Sequence, residues 1–213
     1  LKLSYKFFKK KSDFLEVGAG IGGLSKIFMP SVNYSSWTII EPDQSNFKKL
    51  KANIDIINNK RINALNIRID DFKEDKNKFD LILIADVLEH LENDKVTLGD
   101  LFNKLKPKGK IIIFVPACKF LFSEFDKQIG HFRRYSFKSL KEILPIKSKI
   151  IDIKYIDSIG FFASLFNKLF LKSNNPSIRQ VLFWDRILIP LSRIFDRLLF
   201  YKFGKNIFLI ISN

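Results

Sequence analysis

The sequence predicts an α/β protein built on a parallel sheet, and three observations support this prediction. Strand-like apolar segments alternate with helix-like segments along the 213-residue chain, which is the pattern of βαβ units. One strand-like run, "FDLILIA" (Phe79–Ala85), is almost continuously apolar, as expected for a strand covered on both faces. Hydrophobic residues make up 46% of the chain, enough to bury one sizeable core.

Seven strands are predicted from short runs rich in β-branched and aromatic residues. The first is "FLEV", which a glycine-rich turn follows, and the second is "WTII", which ends before Glu41 and Pro42. Right-handed crossovers between parallel strands place the helices on both faces of the sheet. The predicted strands span residues 14–17, 37–40, 64–69, 79–85, 110–115, 150–155 and 207–212.

Helices are predicted between these strands from their start and stop signals. Asp43 and Ser136 stand where N-capping side chains are preferred, and "KPKG", with Pro107 and Gly109, reads as a helix stop. The four predicted helices span residues 22–28, 44–57, 94–105 and 137–144.

One segment, residues 160–205, does not fit the alternation. It is rich in Phe, Leu and Ile, and Arg186, Arg193 and Arg197 interrupt its apolar stripe. This pattern predicts a helical insert between the sixth and seventh strands. The insert packs against the core, caps a binding pocket, forms a dimer face or lies on a membrane surface; the sequence leaves these roles open, together with the oligomeric state.

Composition and charge narrow the classes of protein. The chain carries a formal net charge of +15, which suits a nucleic-acid or membrane partner or reflects a Lys-rich coding bias. Cys118 is the single cysteine, so no internal disulfide can form, in keeping with a reducing compartment. With no secretory signal and no apolar run of about 18 residues, we expect one domain over residues 1–213, in the cytoplasm or at the inner face of the membrane.

The glycine-rich turn predicts a nucleotide-like ligand. Gly18, Gly20 and Gly22 follow the first strand and open a helix, where backbone N–H groups face a ligand at close range. Glu41 ends the second strand about 20 residues later, where an acid can bind ribose hydroxyls. The same features fit a nicotinamide-dependent dehydrogenase, and a tight turn without a ligand is the structural alternative.

Five segments together resemble the motifs of class I S-adenosylmethionine-dependent methyltransferases. They are "LEVGAGIGGLS", "IIEPD", "IRIDDF", "FDLILIADVLEHL" and "LKPKGKIIIFVP", between Asp13 and Val115. Further on, "GHFRRYS" resembles a bacterial subgroup with a Gly-His-x-Arg-Arg-Tyr segment. The resemblance implies a seven-stranded Rossmann-like sheet with strand order 3-2-1-4-5-7-6, in which strand 7, here "NIFLIISN", is antiparallel.

The resemblance also implies S-adenosyl-L-methionine as cofactor and a set of residues that bind it. The glycines would approach the methionine part, Glu16 would hold their loop, and Glu41 would hold the ribose. Asp70 or Asp71 would lie near the adenine, and the spacing leaves the choice open. The full implied set is Glu16, Gly18, Ala19, Gly20, Gly22, Glu41, Pro42, Asp70, Asp71, Phe72, Ala85, Asp86 and Val87.

The acceptor side is expected to follow the fifth strand. His131 is the candidate general base or acceptor contact, its alternative being a residue that fixes the loop. Arg133 and Arg134 are candidates to bind an acidic group of the acceptor, or else to pair with Glu124 or Asp126.

His90 is a second candidate acceptor contact. Asp86, Glu89 and His90 share the spacing with which some methyltransferases hold a divalent cation, and His131 could add a ligand. The favoured interpretation is that this segment shapes the cofactor pocket without a metal.

The predicted function is therefore methyl transfer from S-adenosylmethionine to a small-molecule, sugar or lipid-linked acceptor, at oxygen rather than nitrogen. "ADVL" stands where methyltransferases of nucleobase amines carry an Asn/Asp-Pro-Pro-Tyr motif, which argues against a nucleic-acid partner. Three alternatives remain: an RNA methyltransferase, a nicotinamide-dependent oxidoreductase and a non-catalytic S-adenosylmethionine-binding protein.

Overall fold

The computed structural model describes residues 11–55, 60–73, 78–171 and 178–213, and its strands form one seven-stranded sheet. The strand order is β3-β2-β1-β4-β5-β7-β6. β7 runs antiparallel to both β5 and β6, whereas the other neighbours are parallel. The predicted sheet order and the antiparallel last strand are thus confirmed. The strands are β1 (Ser12–Val17), β2 (Tyr34–Ile40), β3 (Ile62–Leu65), β4 (Phe79–Ala85), β5 (Leu105–Pro116), β6 (Lys149–Ile156) and β7 (Asn206–Ser212).

The helices cover both faces of the sheet and form the predicted insert. Two π-helical turns, Asn167–Leu171 and Trp184–Leu188, lie within the insert. The α-helices are α1 (Gly23–Phe28), α2 (Gln44–Asp55), α3 (Asp94–Asn103), α4 (Glu124–Gln128), α5 (Phe137–Glu142), α6 (Ser158–Phe166), α7 (Ile178–Phe183) and α8 (Ile189–Leu198).

Alternation along the strands sends side chains into two separate cores. In β1, Leu15 and Val17 join the core beneath α3 and α5, whereas Phe14 joins the core beneath α1 and α2. Central strands are therefore apolar on both sides, which explains the continuous "FDLILIA" run. Each buried Leu, Ile or Phe contributes about 1.5–3 kcal/mol, so the two cores fix the sheet that presents the site.

Two predicted boundaries were wrong, and each error has a local cause. β3 ends at Leu65 and not at residue 69, because the Asn66 side chain bonds the carbonyls of Glu41 and Pro42 and turns the chain. The "KPKG" segment does not end a helix: it lies inside β5 as an irregularity between two paired positions. Proline is tolerated there because a bulge needs no ladder N–H. The predicted end of the second helix, residues 56–57, lies outside the described residues.

The insert leaves and rejoins the sheet at a single point. The Lys205 N–H donates to the Asp157 carbonyl over 3.1 Å, so the two ends of the insert are bonded to each other. Because β7 is antiparallel, this point lies at the edge where the parallel strands end, close to where a ligand is expected. Within the described residues, no helix combines the length and the apolar character needed to cross a bilayer.

Candidate functional site

A cavity of about 530 Å³ opens at the carboxyl ends of β1, β2 and β4. The chain reverses its strand order between β1 and β4, the position at which open α/β sheets bind ligands. The volume falls within the usual range for small-molecule sites, roughly 300–1,000 Å³. The lining residues are Val17, Gly18, Gly20, Ile40, Glu41, Pro42, Asp43, Asn46, Arg68, Ile69, Asp70, Asp86, Val87, His90, Leu91 and Ile129.

The glycine turn forms one wall of the cavity from main-chain atoms. The N–H groups of Gly18 and Ala19 both donate to the Ile40 carbonyl, which ties the turn to β2. Gly18 has a φ of +69°, and a Cβ there would lie 2.4 Å from the Val87 side chain. Gly20 has a φ of +57° and faces open space. The turn therefore needs glycine for its conformation and brings main chain to the cavity surface.

Glu41 forms the facing wall and is held in place by two backbone groups. Its side chain is buried, with 5% of the residue exposed. One carboxylate oxygen accepts from the Gly20 N–H over 2.7 Å and the other from the Asp43 N–H over 2.9 Å. Each oxygen keeps capacity for a further donor, so a hydroxyl group in the cavity can bond the same carboxylate.

Glu16 lies behind this wall and outside the cavity lining. The Ser25 hydroxyl donates to one of its oxygens over 2.5 Å, which joins β1 to α1. The other oxygen has no hydrogen-bond partner among the described residues. Burial raises the pKa of Glu16 to about 7, against the opposing effect of the Ser25 and Trp37 contacts. The structure thus places Glu16 as a support of the glycine turn.

The other predicted cofactor residues divide between the cavity and its supports. Asp70 lines the cavity and Asp71 does not, which distinguishes the two aspartates that the spacing left open. Asp86 faces the cavity with a left-handed φ of 52°, and the surrounding protein raises its pKa to about 6 by desolvation. Of the predicted set, Gly18, Gly20, Glu41, Pro42, Asp70, Asp86 and Val87 line the cavity, whereas Glu16, Ala19, Gly22, Asp71, Phe72 and Ala85 do not.

The acceptor side is organised around Asp126, in the short helix α4. Its buried carboxylate accepts from the Arg134 guanidinium at 2.8–3.2 Å and from the Ser123 N–H and hydroxyl at 2.9 Å. The His131 Nδ1 lies 3.0 Å from the same carboxylate. Burial opposes ionisation of Asp126, but the His131 and Arg134 contacts outweigh it and hold its pKa well below the usual range.

Both arginines of "GHFRRYS" are engaged within the protein. Arg134 pairs with Asp126, so the structure favours the ion-pair alternative over a contact with an acceptor. Arg133 pairs with Asp94 over 2.9 Å and donates to the Glu92 carbonyl. The Tyr135 hydroxyl also donates to Asp94, over 2.7 Å. These contacts fix the loop on which His131 stands.

His131 connects this loop to the cavity through Glu89 and His90. Its ring meets the His90 ring edge-on, with 4.5 Å between centroids, and of the two histidines His90 lines the cavity. Glu89 is fully buried, neither of its oxygens has a hydrogen-bond partner among the described residues, and burial raises its pKa to about 8. Ligand atoms of Glu89, His90 and His131 lie within 4.8 Å of one another, which is close enough to hold one divalent cation.

Several residues at or near the site were not predicted from the sequence. Asn46, Arg68 and Ile129 line the cavity. Arg68 lies within the "IRIDDF" segment, whereas Asn46 and Ile129 lie outside the five motif segments. Lys205 lies at the end of the insert with its ammonium 4.6 Å from the Trp184 ring centroid, and burial lowers its pKa. Only the folded chain brings these segments together.

Comparison with known proteins shows similarity to methyltransferases over part of the chain. A family model described as a methyltransferase domain matches residues 15–111. The ubiquinone biosynthesis O-methyltransferases of Rickettsia bellii strains OSU 85-389 and RML369-C are each 32% identical over 123 residues, which are 53% of this chain and 49% of the relative. The chain therefore spans about half the length of the curated relatives it matches.

Solved structures share the fold at low sequence identity. The Haemonchus contortus phosphoethanolamine N-methyltransferase 2, in complex with S-adenosyl-L-methionine, has a TM-score of 0.67 at 15% identity over 98% of this chain and 50% of that one. The N-methyltransferase NodS of Bradyrhizobium japonicum, in complex with S-adenosyl-L-homocysteine, has a TM-score of 0.62 at 13% identity over 99% of this chain and 83% of that one. The [4+2]-cyclase SpnF has a TM-score of 0.68 at 15% identity over 100% and 78%, so the fold alone does not fix the reaction.

Proposed function

We propose that this chain is a class I S-adenosylmethionine-dependent methyltransferase, as its match to a methyltransferase-domain model over residues 15–111 supports. In this proposal it binds the cofactor in the cavity and methylates a hydroxyl oxygen of a small-molecule, sugar or lipid-linked acceptor. One observation carries the proposal: the Glu41 carboxylate is buried, held by two backbone N–H groups and directed at a cavity that the glycine turn closes. The O-methyltransferase name of the partial relatives supports oxygen as the atom methylated.

The cavity suits the cofactor on chemical grounds. Glu41 has free acceptor capacity for the two hydroxyls of a ribose, and Asp70 lies farther along the wall for a base amine. The exposed main chain at Gly20 permits close approach of an amino-acid moiety. When bound, the cofactor supplies a methyl group on a sulfonium, a leaving group that needs no acid. The residues of the chain therefore have to hold two reactants in line, which is a task of orientation.

The chain also has to remove the proton of the acceptor hydroxyl, and His131 is the proposed base. Asp126 fixes the orientation of its ring through Nδ1, so the other nitrogen is the one that can accept a proton. That nitrogen lies 3.8 Å from the Glu89 carboxyl. The His90 ring, which packs edge-on against the His131 ring and lines the cavity, is the proposed acceptor contact. Glu89, His90 and His131 also lie close enough together to hold a divalent cation, which would lower the pKa of a bound hydroxyl directly.

Titration calorimetry tests the cofactor assignment. The protein should bind S-adenosyl-L-homocysteine and should not bind NADH. Binding of NADH without S-adenosyl-L-homocysteine would refute the proposal in favour of the oxidoreductase.

A transfer assay tests the reaction. Radiolabelled S-adenosylmethionine is incubated with a phenol, with a sugar, with lipid-linked forms of both, with an amine-bearing analogue and with RNA. Label should appear on a hydroxyl oxygen. Label on the amine or on RNA would refute the oxygen assignment, and tight cofactor binding with no transfer to any of them would favour the non-catalytic binding protein.

A further inference from the structure

The last helix of the insert, α8, presents its polar side chains inward. Ser192 and Asp196 are buried, with 2% and 5% of each residue exposed. Asp196 accepts from the N–H groups of Asp157 and Ser158, at the start of α6, over 2.9 and 2.8 Å. The Ser192 hydroxyl donates to Asp157 over 2.7 Å. Polar contacts therefore anchor α8 to the domain, where a surface helix normally uses apolar ones.

The apolar side chains of α8 point away from the domain. Leu191, Ile194, Phe195 and Leu198 follow the i, i+3, i+4, i+7 spacing of one helix face, so they share one side of the helix. Between 40% and 66% of each of these residues is exposed. A helix arranged in this way loses the free energy of burying its apolar side, unless another surface covers it.

The exposed apolar surface continues over the rest of the insert. Eleven of the twenty large apolar residues exposed within the described part of the chain fall between residues 158 and 200, a segment of about one fifth of the sequence. Scattered single exposures are normal, whereas a concentration of this kind marks an interaction surface. This surface, called the insert face below, consists of Phe162, Phe166, Leu169, Leu182, Phe183, Ile187, Leu191, Ile194, Phe195, Leu198 and Phe200.

Positive charge surrounds the insert face. Residues 158–205 contain eight Lys and Arg against two Asp, and four of the eight arginines of the chain lie there. Arg186, Arg193 and Arg197 are exposed, whereas the carboxylate of Asp196 is buried in the contacts with α6. Guanidinium groups bind phosphate oxygens in pairs, so the surroundings of the insert face complement an anionic phosphate surface.

We propose that the insert face docks on the surface of an anionic phospholipid bilayer, with α8 in the plane of the interface. Its apolar side chains enter the acyl boundary and its arginines bind the phosphates, the arrangement of an interfacial amphipathic helix. A second copy of the chain fits less well, because a two-fold contact would set the same arginines against each other. The two ends of the insert are bonded to each other at the sheet edge where the parallel strands end, which is the edge that carries the cavity; an acceptor with a lipid tail would then meet the site from the bilayer.

Vesicle sedimentation at low salt tests the docking. The protein should sediment with vesicles of phosphatidylglycerol and phosphatidylcholine, and far less with pure phosphatidylcholine vesicles. Raising the salt concentration should weaken the binding, because exposed charges are screened.

Paired substitutions assign the binding to the insert face. Ile194→Glu with Leu198→Glu should lower the partition coefficient at least about tenfold, because both charges would have to enter the acyl boundary. Val96→Glu with Ile146→Glu is the matched control, since both residues are exposed outside the insert, and it should leave binding unchanged. Circular dichroism and thermal melting confirm that both variants fold.

The proposal would be overturned by any of three results. These are that the wild type does not sediment with anionic vesicles, that the control pair loses as much binding as the insert pair, or that the protein does not bind vesicles and the insert pair dissociates its dimer. The last result would identify the insert face as an interface between copies of this chain. None of these measurements depends on methyl transfer, so they stand apart from the test of the reaction.

Discussion

The glycine-turn wall and the Asp126 cluster face the same edge of the sheet, but they are made of different chemical groups. The first uses main-chain atoms of Gly18, Gly20 and Ile40, with one side chain, Glu41, bonded to backbone N–H groups. The second uses side chains bonded to side chains: Asp126, Arg134, His131 and Ser123. Main-chain geometry persists when one side chain changes, whereas a network of buried charges fails when one member is removed.

This difference suits the two tasks. A cofactor that is always the same is held by a wall that the fold itself creates. An acceptor, which differs between enzymes, would be met by side chains. The comparison predicts that removing the Asp126 side chain damages the protein more than removing the Glu41 side chain.

The largest effect is expected for Asp126→Ala. Removing the carboxylate leaves the Arg134 guanidinium buried without its partner, so the free energy of unfolding should fall by about 3–5 kcal/mol. Urea unfolding measures the change. Glu124→Ala is the control in the same helix, because its ion pair with Lys127 is exposed and is worth about 0–1 kcal/mol. Equal effects of the two substitutions would remove the distinction between the cluster and the surface around it.

His131→Ala should act on turnover and spare the cofactor. Loss of a general base lowers the rate by roughly 10²–10⁴-fold, while the affinity for S-adenosyl-L-homocysteine should not change, because His131 is outside the cavity lining. A wild-type rate would exclude His131 as the base.

An assay with the chelator EDTA distinguishes whether Glu89, His90 and His131 act without a metal or hold a divalent cation. Activity that survives EDTA indicates a base acting without metal. Activity that EDTA abolishes, and that Mg²⁺ or Mn²⁺ restores, indicates a cation on these three residues.

Glu41→Ala should weaken cofactor binding by about 1–3 kcal/mol, which is roughly 5- to 150-fold in Kd. The loss is limited because the main-chain wall at Gly20 remains. Calorimetry with S-adenosyl-L-homocysteine gives the change, and Glu142→Ala, an exposed acid in α5, is the control. An unchanged affinity would mean that the backbone alone binds the ligand.

The smallest effect is a pH dependence through Glu16. Its pKa is about 7 in the folded protein and 4.5 as an ordinary glutamate, so the folded state binds more protons between these values. The stability from this group is complete below about pH 4.5 and is lost as pH rises through 7. Between about pH 6 and 8 the contribution of Glu16 to the free energy of unfolding should fall by about 1 kcal/mol, in addition to the contributions of Asp86 and Glu89, whose pKa values burial also raises. Thermal melting across this range should therefore show a shallower slope for Glu16→Gln than for the wild type, and an unchanged slope would show that Glu16 does not titrate there.

The glycine-turn wall could be predicted from sequence because its determinants are local. Gly20 and Glu41 end adjacent parallel strands, and parallel strands finish at the same edge. Sequence spacing predicted the end of β3 wrongly, because that end depends on an Asn66 side chain that bonds the carbonyl of Glu41 after β2. It also could not distinguish Asp70 from Asp71 as the cavity residue, because that choice depends on the turn at Ile69–Asp71.

The Asp126 cluster could be predicted only in part. The "GHFRRYS" segment identified His131, but its ring partner, Asp126, lies in a five-residue helix whose sequence signal is the capping-box spacing from Ser123 to Asp126. The orphaned oxygens of Glu89 and the contact between Trp184 and Lys205 arise only when distant segments meet in the folded chain. Composition did indicate an amphipathic insert, but the inward side of α8 is polar, contrary to the usual rule for a surface helix.

The hydrogen bond between Lys205 and Asp157 joins the first and last residues of a loop that never enters the sheet. Because this hydrogen bond holds the two ends of the insert together, the insert can change in length or sequence while β6 and β7 keep their register. Replacing the insert as one unit would therefore change the surface that the protein presents while leaving the strand pairing and the cavity walls in place.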